Sequence, residues 1–127
     1  MSHENGMERL NGRRLAVELV WKDGLLAGLE LDWVKPENPD TARSEWAAKL
    51  KASLLELEDG QPMTWPLPPL DWTGISGFRR RVLETLLGVD WGKLTTYGEL
   101  ASLSGYPGAA RAVGGVMNSN PWSLVVP

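Results

Sequence analysis

Between Gln61 and Trp72 the chain reads QPMTWPLPPLDW, four prolines in one short segment. A proline has no amide N–H and its ring clashes with the preceding helical turn, so this stretch can neither continue a helix nor sit inside a sheet. Only an edge strand or an extended connector suits it. The boundary is therefore placed here: an N-terminal α/β support domain over residues 1–72, ending in a proline-rich linker at 61–72, and a second domain over 73–127. With 127 residues and 43% hydrophobic content, the chain can bury a core of one domain or two very small ones.

The first block has two readable elements. RRLAVELVWKDGLLAGLELDW alternates imperfectly and turns at Lys22-Asp23-Gly24, an Asp-Gly signal that joins antiparallel strands. It predicts a hairpin, Leu15 to Trp21 and Leu25 to Trp33. TARSEWAAKLKASLLELEDG then spaces Trp46, Leu50, Leu54 and Leu57 by three and four, with Thr41 near the start and Gly60 at the end. This is an amphipathic helix. The N-terminus before the hairpin reads as frayed, and Trp21, Trp33 and Trp46 occupy core-type positions.

The second block is mostly helical. Phe78, Val82, Leu83, Leu86 and Leu87 make one apolar stripe, with Ser76 as N-cap and Gly88 as stop, and Arg79, Arg80 and Arg81 go outward, either to a solvated flank or to touch phosphates. In TTYGELASLSG, Thr96 and Glu99 have capping-box spacing and Gly105 provides a left-handed stop. After the turn GYPG, AARAVGGVMNSN forms another helix with Val113, Val116 and Met117 inward. Two short helices joined by a glycine-containing turn make a helix-turn-helix. The outward positions of its second helix are Ala110, Arg111 and Gly114. A major-groove reader projects several long polar side chains, and this helix has one. Its small residues either let the backbone approach a phosphate backbone or narrow groove, leaving Arg111 to reach between bases, or merely permit close helix packing.

Composition excludes several chemistries. No stretch approaches the roughly 18 apolar residues of a membrane span, and MSHENGMERLNGRR lacks the apolar core of a signal peptide, so a cytoplasmic protein with no membrane partner is expected. Without cysteine there is no disulfide, thiolate metal site or thiol nucleophile in these residues, and His3 is the single histidine. No metal and no catalytic residue is assigned. The net charge of −3 is uneven: residues 1–72 carry 8 basic and 13 acidic side chains, residues 73–127 carry 5 and 3. The second block is mildly basic, which suits a polyanion-facing surface or any solvated one.

The stretches GFRRRVLETL, WGKLTTYGELA and PGAARAVGGVMNSNP, followed by VVP, resemble the C-terminal domain of the O6-alkylguanine-DNA alkyltransferases, or methylated-DNA-protein-cysteine methyltransferases. The resemblance runs from about Gly74 onward, with departures at Gly77, Arg79 and Leu83. It implies an α+β protein: an N-terminal ribonuclease-H-like antiparallel hairpin or sheet plus helix, and a C-terminal helical domain with a winged-helix-like helix-turn-helix. The implied partner is double-stranded DNA carrying O6-alkylguanine, flipped from the duplex for alkyl transfer to a cysteine, and the bacterial protein would associate with the nucleoid when on DNA. Arg111 matches the arginine that enters the base stack from the minor groove, and Tyr97 the tyrosine that crowds the target phosphate. Ala110 and Gly114 share that DNA-facing helix. Asn120 matches a hinge asparagine before the active-site strand, and Trp122 either lines the guanine pocket or fills the core. Transfer in the family is stoichiometric, so no cofactor is implied, and the zinc of some relatives finds no ligand set here.

In the family, VVP immediately precedes Cys-His-Arg, so the expected nucleophile and its histidine and glutamate partners are not among these residues. As given, the chain is expected not to transfer alkyl groups. Three explanations are open: an interrupted repair protein, an alkyltransferase-like protein that binds lesions without repairing them, or a helix-turn-helix regulator or interaction domain whose similarity misleads. A complete protein would be a monomer. An uncovered Leu124–Val126 strand would favour self-association.

Overall fold

The computed structural model describes residues 5–62, 65–89 and 96–123. The Leu124–Val126 strand, His3 and the Trp91–Thr95 part of the second resemblance motif lie outside them. The described chain is α+β, with three antiparallel strands and four helices. It divides into two compact units, one of residues 1–71 with 121–125, the other of residues 72–120 with 126–127.

In the first unit, β1 (Gly6–Asn11), β2 (Leu15–Lys22) and β3 (Leu25–Trp33) form a meander in that order. Asp23 and Gly24 both take positive φ, 52° and 78°, which gives the turn a twist matching that of the strands it joins. The predicted hairpin is present, with Leu19 opposite Leu29 and a register irregularity at Val20/Trp21. The strand β1 was not expected. It pairs Glu8 with Leu19 and Leu10 with Val17, placing a buried carboxylate among the apolar residues that face α1 (Glu45–Glu58). Glu8 is 1% exposed, and it accepts hydrogen bonds from the Arg43 and Ser44 amides at 2.7 and 2.9 Å and from Ser44 Oγ at 2.6 Å. Burial pushes its carboxyl upward, but the Ser44 hydroxyl and the two amides outweigh that and hold it below the ordinary glutamate value. Ser44 is also the N-cap of α1, accepting from the Ala47 amide at 3.1 Å. The N-cap therefore lies three residues after Thr41, whose Oγ1 instead accepts from the Arg9 amide on the edge of β1.

The other end of α1 is fastened the same way. Glu58 accepts from the amides of Arg13, Arg14 and Leu15 at 2.7, 2.7 and 3.0 Å, tying the helix to the β1–β2 turn. Leu50 and Leu54 of the predicted stripe are buried, and Trp46 and Leu57 are half-buried. On the opposite sheet face Arg9, 6% exposed, bonds Asn11 Oδ1, Asp32 Oδ2 and the Trp33 carbonyl, with Glu18 at 3.5 Å. Trp33 itself is exposed, at the last residue of β3, whereas Trp21 is buried.

The end of the proline-rich segment touches the sheet through one isolated bridge, and its other described residues form no strand. Leu26 of β3 donates to the Pro69 carbonyl at 2.7 Å and accepts from the Asp71 amide at 2.9 Å, bracketing Leu70 in a parallel bridge. A proline can serve here because only its carbonyl is used. Further along the same edge, Leu29 donates to the Pro121 carbonyl at 2.8 Å. β3 is thus covered at Leu26 and Leu29 along an edge that, left open, would invite association.

The second unit holds α2 (Gly77–Leu87), α3 (Tyr97–Leu103) and α4 (Ala110–Asn118), each in contact with the other two. Val82, Leu83, Leu86, Leu100, Ala101, Val113 and Val116 are its buried apolar residues, with Ile75. Ser76 stands at the N-cap of α2 but its side chain makes no cap bond, and Gly88 ends the helix without entering the left-handed region. Thr96 caps α3 as its spacing predicts, accepting from the Glu99 amide at 3.0 Å. The exit of α3 is a Schellman turn: Gly105, at φ 90°, donates to Ser102 and Tyr106 to Ala101, at 3.0 and 2.8 Å.

Candidate nucleic-acid interface

The helix-turn-helix is built by α3 and α4, whose inner faces meet through Leu100, Ala101, Val113 and Val116. What remains outside is sparse. Arg111 and Gly115 are exposed, and Ala110 and Gly114 are half-buried. The helix begins without a side-chain cap, since Ala109 offers no acceptor. The amides of Ala110, Arg111 and Ala112 precede the first intrahelical bond, from Val113 to Ala109 at 3.0 Å. Such a start concentrates partial positive charge where small side chains leave room for an anion.

The arginines of this unit separate into two kinds. Arg79 Nη2 donates to the Ser119 carbonyl at 2.8 Å and so holds the exit of α4. Arg80 stacks on the Trp72 ring at 4.8 Å and pairs with Glu84 at 3.4 Å. Arg81 Nε donates to the Ser104 carbonyl at 3.3 Å, at the exit of α3. Arg111 makes no hydrogen bond, ion pair or ring contact among the described residues. Arg80 and Arg81 are exposed, as a solvated flank expects, while Arg79 is half-buried; Arg79 and Arg81 in addition fasten helix ends. Sequence reasoning missed Arg79 and Arg81 because their acceptors are helix-end carbonyls, which no residue type announces.

Tyr97, the first residue of α3, is 48% exposed and lies against α4. A Cβ built on Gly114 would stand 3.3 and 3.4 Å from Tyr97 Cε2 and Cδ2. Tyr97, Gly114 and Arg111 thus share a neighbourhood, with Arg111 and Gly114 three residues apart on one helix face. Asn120 is half-buried at the last position of the second unit before the chain returns to the first at Pro121, and its amide donates to Met117 at 3.3 Å. Trp122 is 0% exposed in the first unit, its indole N–H donating to the Leu26 carbonyl at 2.7 Å. No group of three or more His, Cys, Asp or Glu among the described residues could hold a metal.

Residues 77–127 match the family model described as "6-O-methylguanine DNA methyltransferase, DNA binding domain". The methylated-DNA–protein-cysteine methyltransferase of Methanothermobacter thermautotrophicus is 32% identical over 112 residues, covering 87% of this chain and 62% of the relative. That of Shigella flexneri is 51% identical over 55 residues, 43% of this chain and 32% of the relative. The chain therefore spans less than two thirds of the length of either. The structure of Mycobacterium tuberculosis O6-methylguanine methyltransferase superposes with a TM-score of 0.73 at 26% identity, covering 96% of this chain and 74% of that one. The same organism's OGT in complex with DNA gives 0.71 at 27% identity, again with 96% and 74% covered. An α+β chain with a helix-turn-helix and the PGAARAVGGVMNSNP motif is thus alike, in sequence and in fold, to the O6-alkylguanine-DNA alkyltransferase, or methylated-DNA–protein-cysteine methyltransferase, family, whose DNA-binding domain its residues 77–127 match.

Proposed function

We propose that this chain binds duplex DNA through α3 and α4 from the minor-groove side and extrudes O6-alkylguanine, the DNA-handling half of alkyl-transfer repair. The observation that carries this reading is the contrast among arginines: three are fastened within the unit, and Arg111 stands exposed, without a partner among the described residues, on a helix of small residues. Extruding a base costs a few kcal/mol, and a planar cation that enters the vacated stack offsets part of it. Arg111 has the reach and the freedom for that task. Tyr97, at its side, would crowd the phosphate next to the target. The uncapped start of α4 supplies amides to the backbone, and Asn120 would act as the hinge at the end of the helix. Contacts of this kind read phosphate and groove shape rather than base edges, so affinity should fall steeply with salt and depend little on flanking sequence.

Among the 127 residues none is a cysteine, so what these residues carry themselves is recognition and extrusion. The acceptor thiolate of the family reaction, a strong soft nucleophile toward an sp³ carbon, has no hydroxyl substitute here without strong activation. The reading is tested by fluorescence anisotropy on duplexes with and without one O6-methylguanine at low salt. Arg111→Ala and Tyr97→Ala should each weaken binding, by about threefold to tenfold for loss of one charged or ring contact. Unchanged binding in both variants, or a defined operator recovered by selection from random duplexes, would overturn it.

A further inference from the structure

Gly114 and Gly115 are adjacent in α4, and the structure gives them different surroundings. A Cβ at Gly115 would meet nothing within 4 Å, whereas one at Gly114 would stand 3.3 Å from Tyr97 Cε2 and 3.4 Å from Cδ2. Those separations are tighter than a methyl group accepts without movement of its neighbour. The ring of Tyr97 therefore lies on bare helix backbone at Gly114, and it does so while 48% exposed.

Half-exposed aromatic side chains have two χ angles to lose, and a ring resting on a flat helix surface loses them in the free protein rather than on binding. Thr96 contributes at the other end of the contact: its hydroxyl caps α3 through the Glu99 amide at 3.0 Å and so fixes the backbone from which Tyr97 projects. We propose that Gly114 is a positioning residue, the seat that sets the pose of the Tyr97 ring, while Gly115 is the glycine that keeps α4 bare toward DNA. This rests on the proposed role of Tyr97 in DNA handling, but the seat itself is a property of the free protein. It also separates two explanations that a small-residue helix leaves merged: room for another chain's backbone, and room for this chain's own ring.

The test uses Gly114→Ala and Gly115→Ala, each alone and combined with Tyr97→Ala, in the full chain. The first readout is the Tyr97 ring resonances of protein selectively labelled at tyrosine, without DNA. Gly114→Ala should shift them and Gly115→Ala should not; unmoved signals in Gly114→Ala overturn the seat whatever happens with DNA. The second readout is a double-mutant cycle on affinity for an O6-methylguanine duplex. Gly114→Ala should lower affinity by about threefold to tenfold and have no further effect once Tyr97 is alanine, the non-additivity expected of residues in contact. An equal loss in the presence and absence of the Tyr97 ring overturns the positioning role and returns Gly114 to the same duty as Gly115. Should Gly114→Ala disturb folding, the double variant, which has no ring to displace, should recover native helicity by circular dichroism, and failure to recover it counts against the seat. If Tyr97→Ala leaves affinity unchanged while the ring still moves in Gly114→Ala, the DNA reading fails and the positioning role fails with it, leaving only the packing contact.

Discussion

Single side chains in this protein gain their meaning from partners far away in sequence. Trp122 is the clearest case, since its indole donates to the carbonyl of Leu26, a residue 96 positions earlier, inside a site with no solvent exposure. That carbonyl also accepts the Asp71 amide, so two segments distant in the chain meet on one oxygen of β3. Trp122→Phe would remove the donor and leave a cavity the size of the lost ring. A net hydrogen bond is worth about 1 kcal/mol, and with the cavity the loss should reach about 2–4 kcal/mol. Urea denaturation followed by circular dichroism gives the number directly, and a loss below about 1 kcal/mol would mean the core closes around the smaller ring.

Elements show why some of the fold was legible in the residues and some was not. The β2–β3 hairpin and the helices were readable because their signals are local: an Asp-Gly turn, a three-four apolar spacing, a Thr-x-x-Glu start. Strand β1 carries no such signal. GMERLN has Glu8 and Arg9 side by side, and both are buried only because Ser44, Arg43, Asp32 and Trp33 satisfy them from elsewhere. A pattern of polar residues hides a strand whenever its partners are non-local. The seat of Tyr97 on Gly114 was hidden for the same reason, because it needs the placement of α3 against α4, while Arg111 was legible from α4 alone as its single cation. Local signals still carry weight of their own. α3 has seven residues, too few to persist unaided, so its cap matters more than in a long helix. Thr96→Ala should destabilise the second unit by about 1 kcal/mol, and Thr96→Ser should restore most of it. Amide hydrogen exchange at Leu100 and Ala101 reads this change at the helix itself, and equal protection in the wild type and Thr96→Ala would show the cap to be dispensable.

Across the whole molecule, four carboxylates of the first unit are shifted in one direction. The Trp33 amide, Arg9 and Lys35 bring Asp32 down to about 2. Burial raises Asp40 and Glu58, but Lys51 and the Asn11 and Ala42 amides for the one, and the Leu15, Arg14 and Arg13 amides for the other, leave both below their ordinary values. Glu8 behaves likewise through Ser44 and Arg43. A carboxyl with a lower pKa when folded binds fewer protons than its unfolded counterpart, so the stability it contributes is complete above the unfolded values of 4.5 and 3.8 and is lost as pH falls through the folded ones. The stability of the first unit should therefore be flat from about pH 7 to pH 5 and decline below that, at a slope set by how many of the four groups take up protons together. Glu8→Gln and Glu58→Gln should each lower stability at pH 7 and flatten the decline, because each removes one proton-uptake site along with its anionic acceptor. Urea titrations at half-unit pH steps, followed by the fluorescence of the buried Trp21, Trp65 and Trp122, measure both effects on one protein. A decline that keeps its full slope in both variants would assign the acid sensitivity to other groups and remove these carboxylates as the links between α1 and the sheet.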